Sequence, residues 1–585
     1  MFLEASKLFY CYALMTSSIG LIFYKNQHQL IHCLAFISFS TFLTLAALLY
    51  AFVQHDYSVA YVAQHSSNAL PLLLQAAALW AGHEGSTLLF LFFVSTGSTI
   101  TLVVLKKIIA ELNPLFIKYS LLNATLLAWF IFIAANPFKR LLPFPPLDGN
   151  DLNPLLHDVS LSYHPPLLLL GTALFFPVAL LNLFNLSIKD KKADHLYLFF
   201  LYAALGILTA GITFGSIWAY HVLGWGGFWF WDPVETLSLL PWFGGFALIH
   251  MHRSGKRSFL ANYLWLVILL GMLMVRSNYI VSVHAFAQAQ TTTQGLSILL
   301  ITMSLMTLYL HYDQRKNIIM NQQNSTSFFG GQGLVLMLFI LLFGLLYPVM
   351  IFWQKDSIHL SGDFYNQVLP PMMLAFMTLW VFKKYSIAHT KILALLVFMT
   401  ISFTGDPWIH IVIAGLFFLI GFFHKQSLST LSHQVVLFFM ILLYMHAAMK
   451  YEYEYKIKVG EPIYFKNNIL EIISIKTTLD SPYQHILKAD IQLTLADRTT
   501  LKFHPEKILY KKTMQEIAPI AIHPGLYHEY CICLGDNIDN EYFLIRVYFK
   551  PFVRLIWLSA MILSIMLIYT AYHCVRMGSN QKRSY

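Results

Sequence analysis

The chain of 585 residues is 57% hydrophobic and only 11% charged, with 48 Phe, 32 Tyr and a mean hydropathy of +0.61. Because soluble domains are usually about one quarter charged, this composition excludes an ordinary water-soluble fold, and it also excludes a disordered chain. The net charge of +10 does not indicate nucleic acid as a partner, since the basic residues lie in short loops between apolar runs. Five cysteines without a CxxC motif give neither a disulfide framework nor a covalently held c-type haem.

Apolar runs long enough to cross the hydrocarbon of a bilayer recur along nearly the whole chain. They predict an all-α polytopic membrane protein with about fifteen transmembrane helices. In chain order the runs lie at 8–24, 30–52, 85–105, 117–135, 166–187, 197–217, 236–252, 260–276, 294–312, 333–353, 369–383, 389–404, 408–424, 433–449 and 551–572.

Alternate loops between these runs differ in positive charge. One set is rich in basic residues, such as Lys106 and Lys107, whereas the opposite set holds few, such as Lys7 and Lys355. Because basic loops stay on the cytoplasmic side, we expect the N-terminus outside and the C-terminus inside. The loops predicted to face outward are those around 136–165, 218–235, 277–293 and 450–550.

The last of these loops, 450–550, has a higher charge density and an alternating pattern. Apolar and polar residues alternate in 491–495 and again in 499–503, on either side of a polar turn, which is typical of a β-hairpin. The sequence therefore predicts a small external β-domain inserted before the last helix. Cys531 and Cys533 are too close along one strand for an easy disulfide and are expected to be buried. With no clustered nucleophile, the β-domain is expected to be a docking surface on the outer side of the membrane rather than the reactive centre.

These patterns divide the chain into five parts. The middle of the chain holds most of the candidate functional residues, and predicted helices flank it on both sides. The predicted parts are N-terminal transmembrane helices at 1–135, a core at 136–312, C-terminal transmembrane helices at 313–449, the β-domain at 450–550, and the last helix with its tail at 551–585.

The loop between the sixth and seventh runs is unusually aromatic. It reads Trp225-Gly226-Gly227-Phe228-Trp229-Phe230-Trp231-Asp232-Pro233-Val234-Glu235, and we call it the tryptophan segment. An interfacial aromatic belt explains one or two of these rings but not the glycine pair, which lets a flat group approach the backbone closely. Such a platform favours a large planar apolar ligand. Asp232 is more typical of a helix N-cap than of a catalyst, and Glu235 suits a first helical turn.

Two histidines flank the tryptophan segment along the chain. His164 and His284 both lie in loops predicted to face outward, like the segment itself. Each alone is typical of a surface histidine, but two imidazoles on opposite sides of a plane form the axial ligand set of a six-coordinate haem iron.

A second pair lies within the helices. His250 ends the seventh run and His433 begins the fourteenth, and because these helices run in opposite directions, both histidines lie near the cytoplasmic side. Equal depth is a requirement for sharing one iron, although interfacial histidines also fit the pattern. His252 and His446 are the alternatives for this pair.

His83 and Glu84 form one further polar group, at a predicted outward helix start. A capped, hydrated loop end is the simpler interpretation. Support of an external ligand or a proton relay is the functional alternative.

The tryptophan segment resembles the signature of a haem-handling family of cytochrome c maturation proteins, the CcmF and CcsA type, and the wider chain is similar to the CcmF branch. The similarity runs from about residue 70 to residue 565. Phe228 stands where that family usually has Trp, and Thr236-Leu237 replaces a usual Asn-Ala. Further matching stretches are Trp80-Ala81-Gly82-His83-Glu84-Gly85-Ser86, Ala135-Asn136-Pro137-Phe138, Leu142-Pro143-Phe144-Pro145-Pro146, Asp151-Leu152-Asn153-Pro154, His164-Pro165-Pro166-Leu167, Ser282-Val283-His284-Ala285-Phe286-Ala287 and Phe503-His504-Pro505-Glu506-Lys507.

The resemblance implies a haem lyase activity, in which the thiols of a CxxCH motif in apocytochrome c are joined to haem vinyl groups. It implies that haem in transit has His164 and His284 as axial ligands, and that an intrinsic b-type haem, which supplies electrons, has His250 and His433. The residues implied to form the reactive centre are Trp225, Trp229, Trp231 and Asp232, and those implied to contact haem are Gly226, Gly227 and Phe228.

The implied partners are apocytochrome c, the haem chaperone CcmE and thiol- and apocytochrome-presenting proteins of the CcmH and CcmI type. The implied location is the bacterial inner membrane with the N-terminus and β-domain on the periplasmic side, or alternatively the mitochondrial inner membrane. Two other functions stay open: a paralogue that attaches haem to a CxxCK site of nitrite reductase, and a respiratory cytochrome b subunit. A haem exporter would need an ATPase partner, because the chain has no GxxxxGK[ST] motif.

Overall fold

The structure is a computed structural model of the chain. It is mainly helical, with a small β-domain close to the C-terminus. It describes residues 2–109, 111–187, 190–253, 259–276, 282, 290–314, 326–351, 362–384, 406–422, 427–481, 484–538 and 541–580.

The N-terminal helices begin at residues suited to helix starts. Asn26 caps the second helix by accepting from the amide of His28, and Asn113 with Pro114 starts the sixth in the same way. These helices are α1 (Phe2–Phe23), α2 (Gln27–Val53), α3 (Ala60–His65), α4 (Leu72–Ala77), α5 (His83–Ile108) and α6 (Pro114–Ala134).

The middle helices carry most of the predicted site residues. The run at 166–187 is divided into two helices near Pro177, which has no amide hydrogen to donate. Asp190 caps the long helix that follows by accepting from the amides of Lys192 and Ala193. The elements are α7 (His164–Ala173), α8 (Phe175–Ser187), α9 (Lys191–Val222), α10 (Pro233–Arg253) and α11 (Leu260–Arg276).

The remaining helices are α12 (Gln290–Gln314), α13 (Thr326–Ile351), α14 (Gly362–Lys384), α15 (Pro407–Phe422), α16 (Leu428–Met449) and α17 (Val553–Asn580). Within the described ranges, eleven helices are long and apolar enough to span a membrane, and Leu260–Arg276 and Pro407–Leu419 are shorter apolar helices. The predicted run at 389–404 lies outside the described residues, and every other predicted run falls on a helix. The predicted all-α polytopic architecture is confirmed.

The β-domain consists of two antiparallel sheets. One has the order β1-β10-β9-β8, and the other has the order β2-β3-β4-β6-β7 with β5 paired to β4. The strands are β1 (Tyr451–Lys458), β2 (Ile463–Phe465), β3 (Asn468–Ser481), β4 (Gln484–Thr494), β5 (Thr500–Phe503), β6 (Glu506–Tyr510), β7 (Gln515–Ile517), β8 (Ala521–His523), β9 (His528–Asn537) and β10 (Tyr542–Pro551).

The predicted hairpin is present in this domain. Ile491 lies opposite Phe503, and Thr494 lies opposite Thr500. The alternating apolar residues face a common core between the sheets, which includes Ile491 and Leu493. The alternation was readable because one face of each strand is buried.

The β-domain is closely joined to the helices. α17 follows β10 directly and packs along α9, where Ser564 Oγ donates to the carbonyl of Gly206 at 2.7 Å. At the other end of that contact, Trp557 Nε1 donates to Ser216 Oγ at 2.9 Å. The same Ser216 hydroxyl donates to the carbonyl of Phe228 at 2.6 Å, which ties the tryptophan segment to both helices.

Candidate functional site

His250 and His433 face each other inside the helix bundle. Their ring centres are 6.0 Å apart and their planes are inclined by 77°. Both rings line a cavity of about 210 Å³ whose walls include Trp242, Phe246 and Leu567. The structure therefore brings together the two helix histidines that the sequence paired, in surroundings that are mostly apolar.

Each of these imidazoles is oriented by its own helix. His250 Nδ1 lies 2.9 Å from the carbonyl of Phe246, and His433 Nδ1 lies 2.7 Å from the carbonyl of Ser429. A carbonyl accepts only from N–H, so Nδ1 carries the proton and Nε2 is the nitrogen that can ligate a metal. Two metal–nitrogen bonds of about 2 Å, with roughly 1 Å from each nitrogen to its ring centre, add up to roughly 6 Å. The spacing of the pair fits one iron.

The two alternative histidines lie elsewhere. His446 is on the same helix as His433 but thirteen residues further along, about 20 Å away at 1.5 Å per residue. Its Nδ1 is 2.8 Å from the carbonyl of Pro551 at the end of β10. His252 stacks on Tyr197 with 5.5 Å between ring centres.

The rings of the tryptophan segment form a packed cluster that is not one flat surface. Trp225 stacks on Phe230 with 4.0 Å between centres, and Phe230 is 56% exposed. Trp229 meets Trp231 edge to face at 5.8 Å, and Trp231 in turn stacks on Tyr365 at 4.7 Å. The face available to a large planar ligand is therefore at the Trp225–Phe230 edge of the cluster.

The backbone of the segment is held by the β-domain. Gly226 has φ +65°, a region that favours glycine, and a Cβ there would lie 2.6 Å from the ring of Tyr548. Gly224 has φ +71°, and a Cβ there would lie 2.3 Å from the carbonyl of Ala518. The space beside Gly226 is thus filled by a tyrosine of the protein itself. Among the described residues, a Cβ on Gly227 would have only the carbonyl of Trp229 within 4 Å.

Asp232 and Glu235 connect the segment to α10. Asp232 Oδ1 accepts from the amide of Val234 at 2.9 Å, so the residue is an N-cap, and it also accepts from Ser282 Oγ at 2.8 Å. Glu235 Oε2 accepts from the amide of Phe230 at 3.2 Å. Both carboxylates therefore hold the backbone of the segment.

His164 is the first residue of α7, at the β-domain end of the bundle. Its Nδ1 lies 2.8 Å from the carbonyl of Gly211. Its ring also lies against Gly215, where a Cβ would approach to 2.3 Å. His284, its predicted partner, lies outside the described residues, whereas Ser282 is described and donates to Asp232 of the tryptophan segment.

A buried polar junction, which was not predicted from the sequence, connects α9 to the β-domain. Tyr220 OH donates to Glu529 Oε2 at 2.8 Å and lies 3.1 Å from Cys531 Sγ. Arg554 Nε donates to the other oxygen of Glu529 at 2.6 Å. Burial raises the pKa of Cys531 to about 12 and that of Cys533 to about 11, so both are neutral thiols at pH 7. Both are free and buried, as predicted.

One expectation from the sequence needs correction here, and one contact was not predicted. The β-domain reaches the tryptophan segment, because Tyr548 of β10 fills the space beside Gly226. His83 is not a hydrated loop end, since it is 5% exposed. Neither kind of contact has a local sequence signal, because the partners are far apart along the chain.

The fold and the site define a multi-span membrane protein with paired helix histidines on one side and an aromatic segment joined to a β-domain on the other. Residues 80–284 match the family model described as cytochrome C assembly protein. The chain is 28% identical to the cytochrome c-type biogenesis protein CcmF of Haemophilus influenzae, over 89% of each chain. It is 29% identical to the probable cytochrome c-type biogenesis protein NrfE of Escherichia coli, over 88% of this chain and 90% of that protein.

A solved structure of the cytochrome c haem lyase CcmF has the same fold. It superposes with a TM-score of 0.72 at 17% identity and covers 97% of this chain and 96% of its own. The resemblance seen in the sequence is confirmed, since the chain is similar to cytochrome c-type biogenesis proteins over most of its length.

Proposed function

We propose that this chain is a haem lyase component of cytochrome c maturation, which holds haem while the CxxCH thiols of apocytochrome c add to its vinyl groups. The observation that carries the proposal is the pair of imidazoles of His250 and His433, 6.0 Å apart across an apolar cavity, in a relative of cytochrome c-type biogenesis proteins. Paired neutral imidazoles at this spacing suit an intrinsic b-type haem. When bound, such a haem would supply single electrons.

The chemistry requires orientation more than acid–base catalysis. In each addition an S–H bond and the vinyl π bond are lost, while a C–S and a C–H bond form, so the step is redox-neutral. The protein contributes by holding the cargo haem with its vinyl groups exposed. In this proposal the exposed Trp225–Phe230 edge supports the macrocycle, and His164 and His284 hold its iron from the two sides.

The tryptophan segment must be rigid for this task. Asp232 and Glu235 hold its backbone, Trp231 and Trp229 pack behind the exposed edge, and Tyr548 supports Gly226. We assign the four residues Trp225, Trp229, Trp231 and Asp232 to the reactive centre on this basis, with Gly226, Gly227 and Phe228 beside the haem.

The proposed setting is a bacterial inner membrane, with the β-domain on the periplasmic side. The positive charge of alternate loops and the bacterial relatives support it. Apocytochrome c, the haem chaperone CcmE and thiol- or apocytochrome-presenting proteins of the CcmH and CcmI type are the proposed partners.

The test is a set of single histidine variants in a strain whose cytochrome c maturation depends on this chain. His164→Ala and His284→Ala should leave the protein inserted in the membrane and abolish covalent holocytochrome c. His528→Ala, an exposed histidine of the β-domain, is the matched control and should retain it. Normal holocytochrome c in both site variants would overturn the proposed external site.

A second candidate is haem attachment to a CxxCK site. The match to the Escherichia coli NrfE protein, at 29% identity over 88% of this chain, is as extensive as the match to CcmF proteins. Supplying the chain with CxxCH and CxxCK substrates separately distinguishes the two: product only from CxxCK would favour the second candidate.

A further inference from the structure

A buried cation lies at the end of the bundle that carries the tryptophan segment. Arg276, the last residue of α11, is 7% exposed, and its Nη2 donates to Ser86 Oγ at 3.2 Å. Among the described residues no carboxylate lies within 4 Å of its guanidinium. Glu84, in the first turn of α5, attracts it at longer range without forming an ion pair. The charge is therefore buried and incompletely paired.

A second buried polar group lies beside it. His83, the first residue of α5, is 5% exposed, and neither of its ring nitrogens has a hydrogen-bond partner among the residues that the structure describes. Its ring meets Phe130 edge-on with 5.8 Å between centres. α5 also begins at Gly82 without a side-chain cap, and a helix start is electrically positive. Within the described residues, the cation, the imidazole and the helix start have Glu84 at longer range but no anion bonded to Arg276 or His83.

Such an arrangement is unfavourable unless a ligand completes it. A buried charge without a partner is strongly destabilising, and an orphaned buried donor adds to the penalty. The planar guanidinium of arginine matches a carboxylate with two parallel hydrogen bonds. An imidazole N–H can supply one more.

We propose that Arg276 and His83 bind a propionate carboxylate of the haem in transit, which fixes how the macrocycle is turned at the tryptophan segment. This inference rests on the proposed function. The cargo haem carries two carboxylates, and the start of α5 is tied to the chain just before His164, since Trp80 Nε1 donates to the carbonyl of Leu161 at 2.7 Å. Both side chains are more than nine-tenths covered, so a carboxylate bound there would be shielded from water.

The test compares haem with haem dimethyl ester, whose propionates carry no charge. Each is titrated into the full chain in phosphatidylcholine nanodiscs. Wild type should bind haem at least about tenfold more tightly than the ester, which corresponds to about 1.4 kcal/mol. Arg276→Gln and His83→Ala should reduce that ratio, and Arg276→Gln should bring it close to one. Arg140→Gln is the matched control, because Arg140 is paired with Glu4 and Asp56, and it should keep the wild-type ratio.

Failure of this inference differs from failure of the proposed function. If wild type binds no haem that depends on His164, the proposed function fails and this inference with it. If it binds haem in a His164-dependent way but binds the ester equally well, only the propionate site is overturned.

Thermal unfolding without haem gives an independent readout. Removing an uncompensated buried charge should leave the melting temperature of Arg276→Gln equal to or above that of wild type, whereas Arg140→Gln should lower it. A melting temperature of Arg276→Gln well below wild type, with an unchanged binding ratio, would indicate a purely structural arginine and overturn the proposal. An Arg276-dependent gain in stability on adding phosphatidylglycerol would identify a lipid headgroup as the anion and overturn it as well.

Discussion

The two ends of α10 present two kinds of site. At the end near Arg253, His250 faces His433 across a cavity, and each imidazole is held by a carbonyl four residues earlier on its own helix. At the end near Pro233, the tryptophan segment is held by contacts with distant parts of the chain, including Tyr548 against Gly226. The first site is built from local geometry, and the second is built from tertiary structure.

This difference has a consequence for mutation. A histidine whose Nδ1 is held by a carbonyl of its own helix can be replaced without disturbing that helix backbone, so we expect its loss to affect mainly a bound metal. The tryptophan segment shares hydrogen bonds and packing with α9, α17 and the β-domain. Changes in the β-domain should therefore reach the segment, while the cavity stays intact.

The largest expected effect concerns the cavity. The purified protein should show the sharp, low-spin spectrum of a bis-imidazole b-type haem on reduction, and the haem should be extractable. His250→Ala and His433→Ala should each abolish that signal or convert it to high spin, because one axial ligand is missing.

The controls for this change are the two alternative histidines and the external one. His252→Ala, His446→Ala and His164→Ala should all retain the low-spin spectrum. Loss of the signal in His446→Ala but not in His433→Ala would contradict the assignment. Retention of the signal in both His250→Ala and His433→Ala would mean that the pair is only structural.

A smaller effect is expected where Tyr548 of the β-domain packs against the tryptophan segment. Tyr548 is fully buried against Gly226, so Tyr548→Ala leaves a cavity and should lower the free energy of unfolding by about 3–5 kcal/mol, as for other large aromatic truncations. Thermal unfolding in detergent measures the change. Tyr464→Ala, at a residue that is 74% exposed, is the control and should change it by less than about 0.5 kcal/mol.

The same variant separates the two sites. Tyr548→Ala should reduce holocytochrome c while it leaves the low-spin signal of the cavity intact. If the low-spin signal from the His250–His433 cavity disappears as well, the two ends of α10 do not behave as independent sites.

The sequence predicted the helices, the hairpin and the histidine pair because each has a local signal. Apolar length marks the spans, alternation marks strands at 491–503, and opposite helix directions set His250 and His433 at one depth. The place of Tyr548 had no such signal, because its contact with Gly226 depends on how the β-domain docks. His83 was expected to be hydrated for the same reason, since its cover comes from other helices.

The smallest effect concerns Lys550, at the end of β10, and it is a test of pH dependence. Lys550 is 6% exposed, and its ammonium lies 4.7 Å from the ring centre of Tyr548. Burial lowers its pKa to about 8, assisted by the positive charge of Lys450 and opposed by the negative charge of Glu452. Folding thus makes the Lys550 amine easier to deprotonate.

The sign of the effect follows from proton binding. Between about pH 8 and the ordinary lysine value near 10.5, the unfolded chain holds this proton and the folded chain does not, so the free energy of unfolding rises with pH. Below pH 8 the amine is charged in both states, and the folded protein bears its full burial penalty. Lys550→Met should therefore be more stable than wild type at pH 7, and the difference should shrink as pH rises through this window.

Unfolding of both proteins at matched pH values measures this difference in stability, because tyrosine ionisation then contributes equally to each. Lys502→Met, at an exposed position of β5, should show no such pH-dependent difference. A Lys550→Met protein that is less stable than wild type at pH 7 would contradict this prediction. It would mean that the interaction of the ammonium with the Tyr548 ring outweighs the cost of burying the charge.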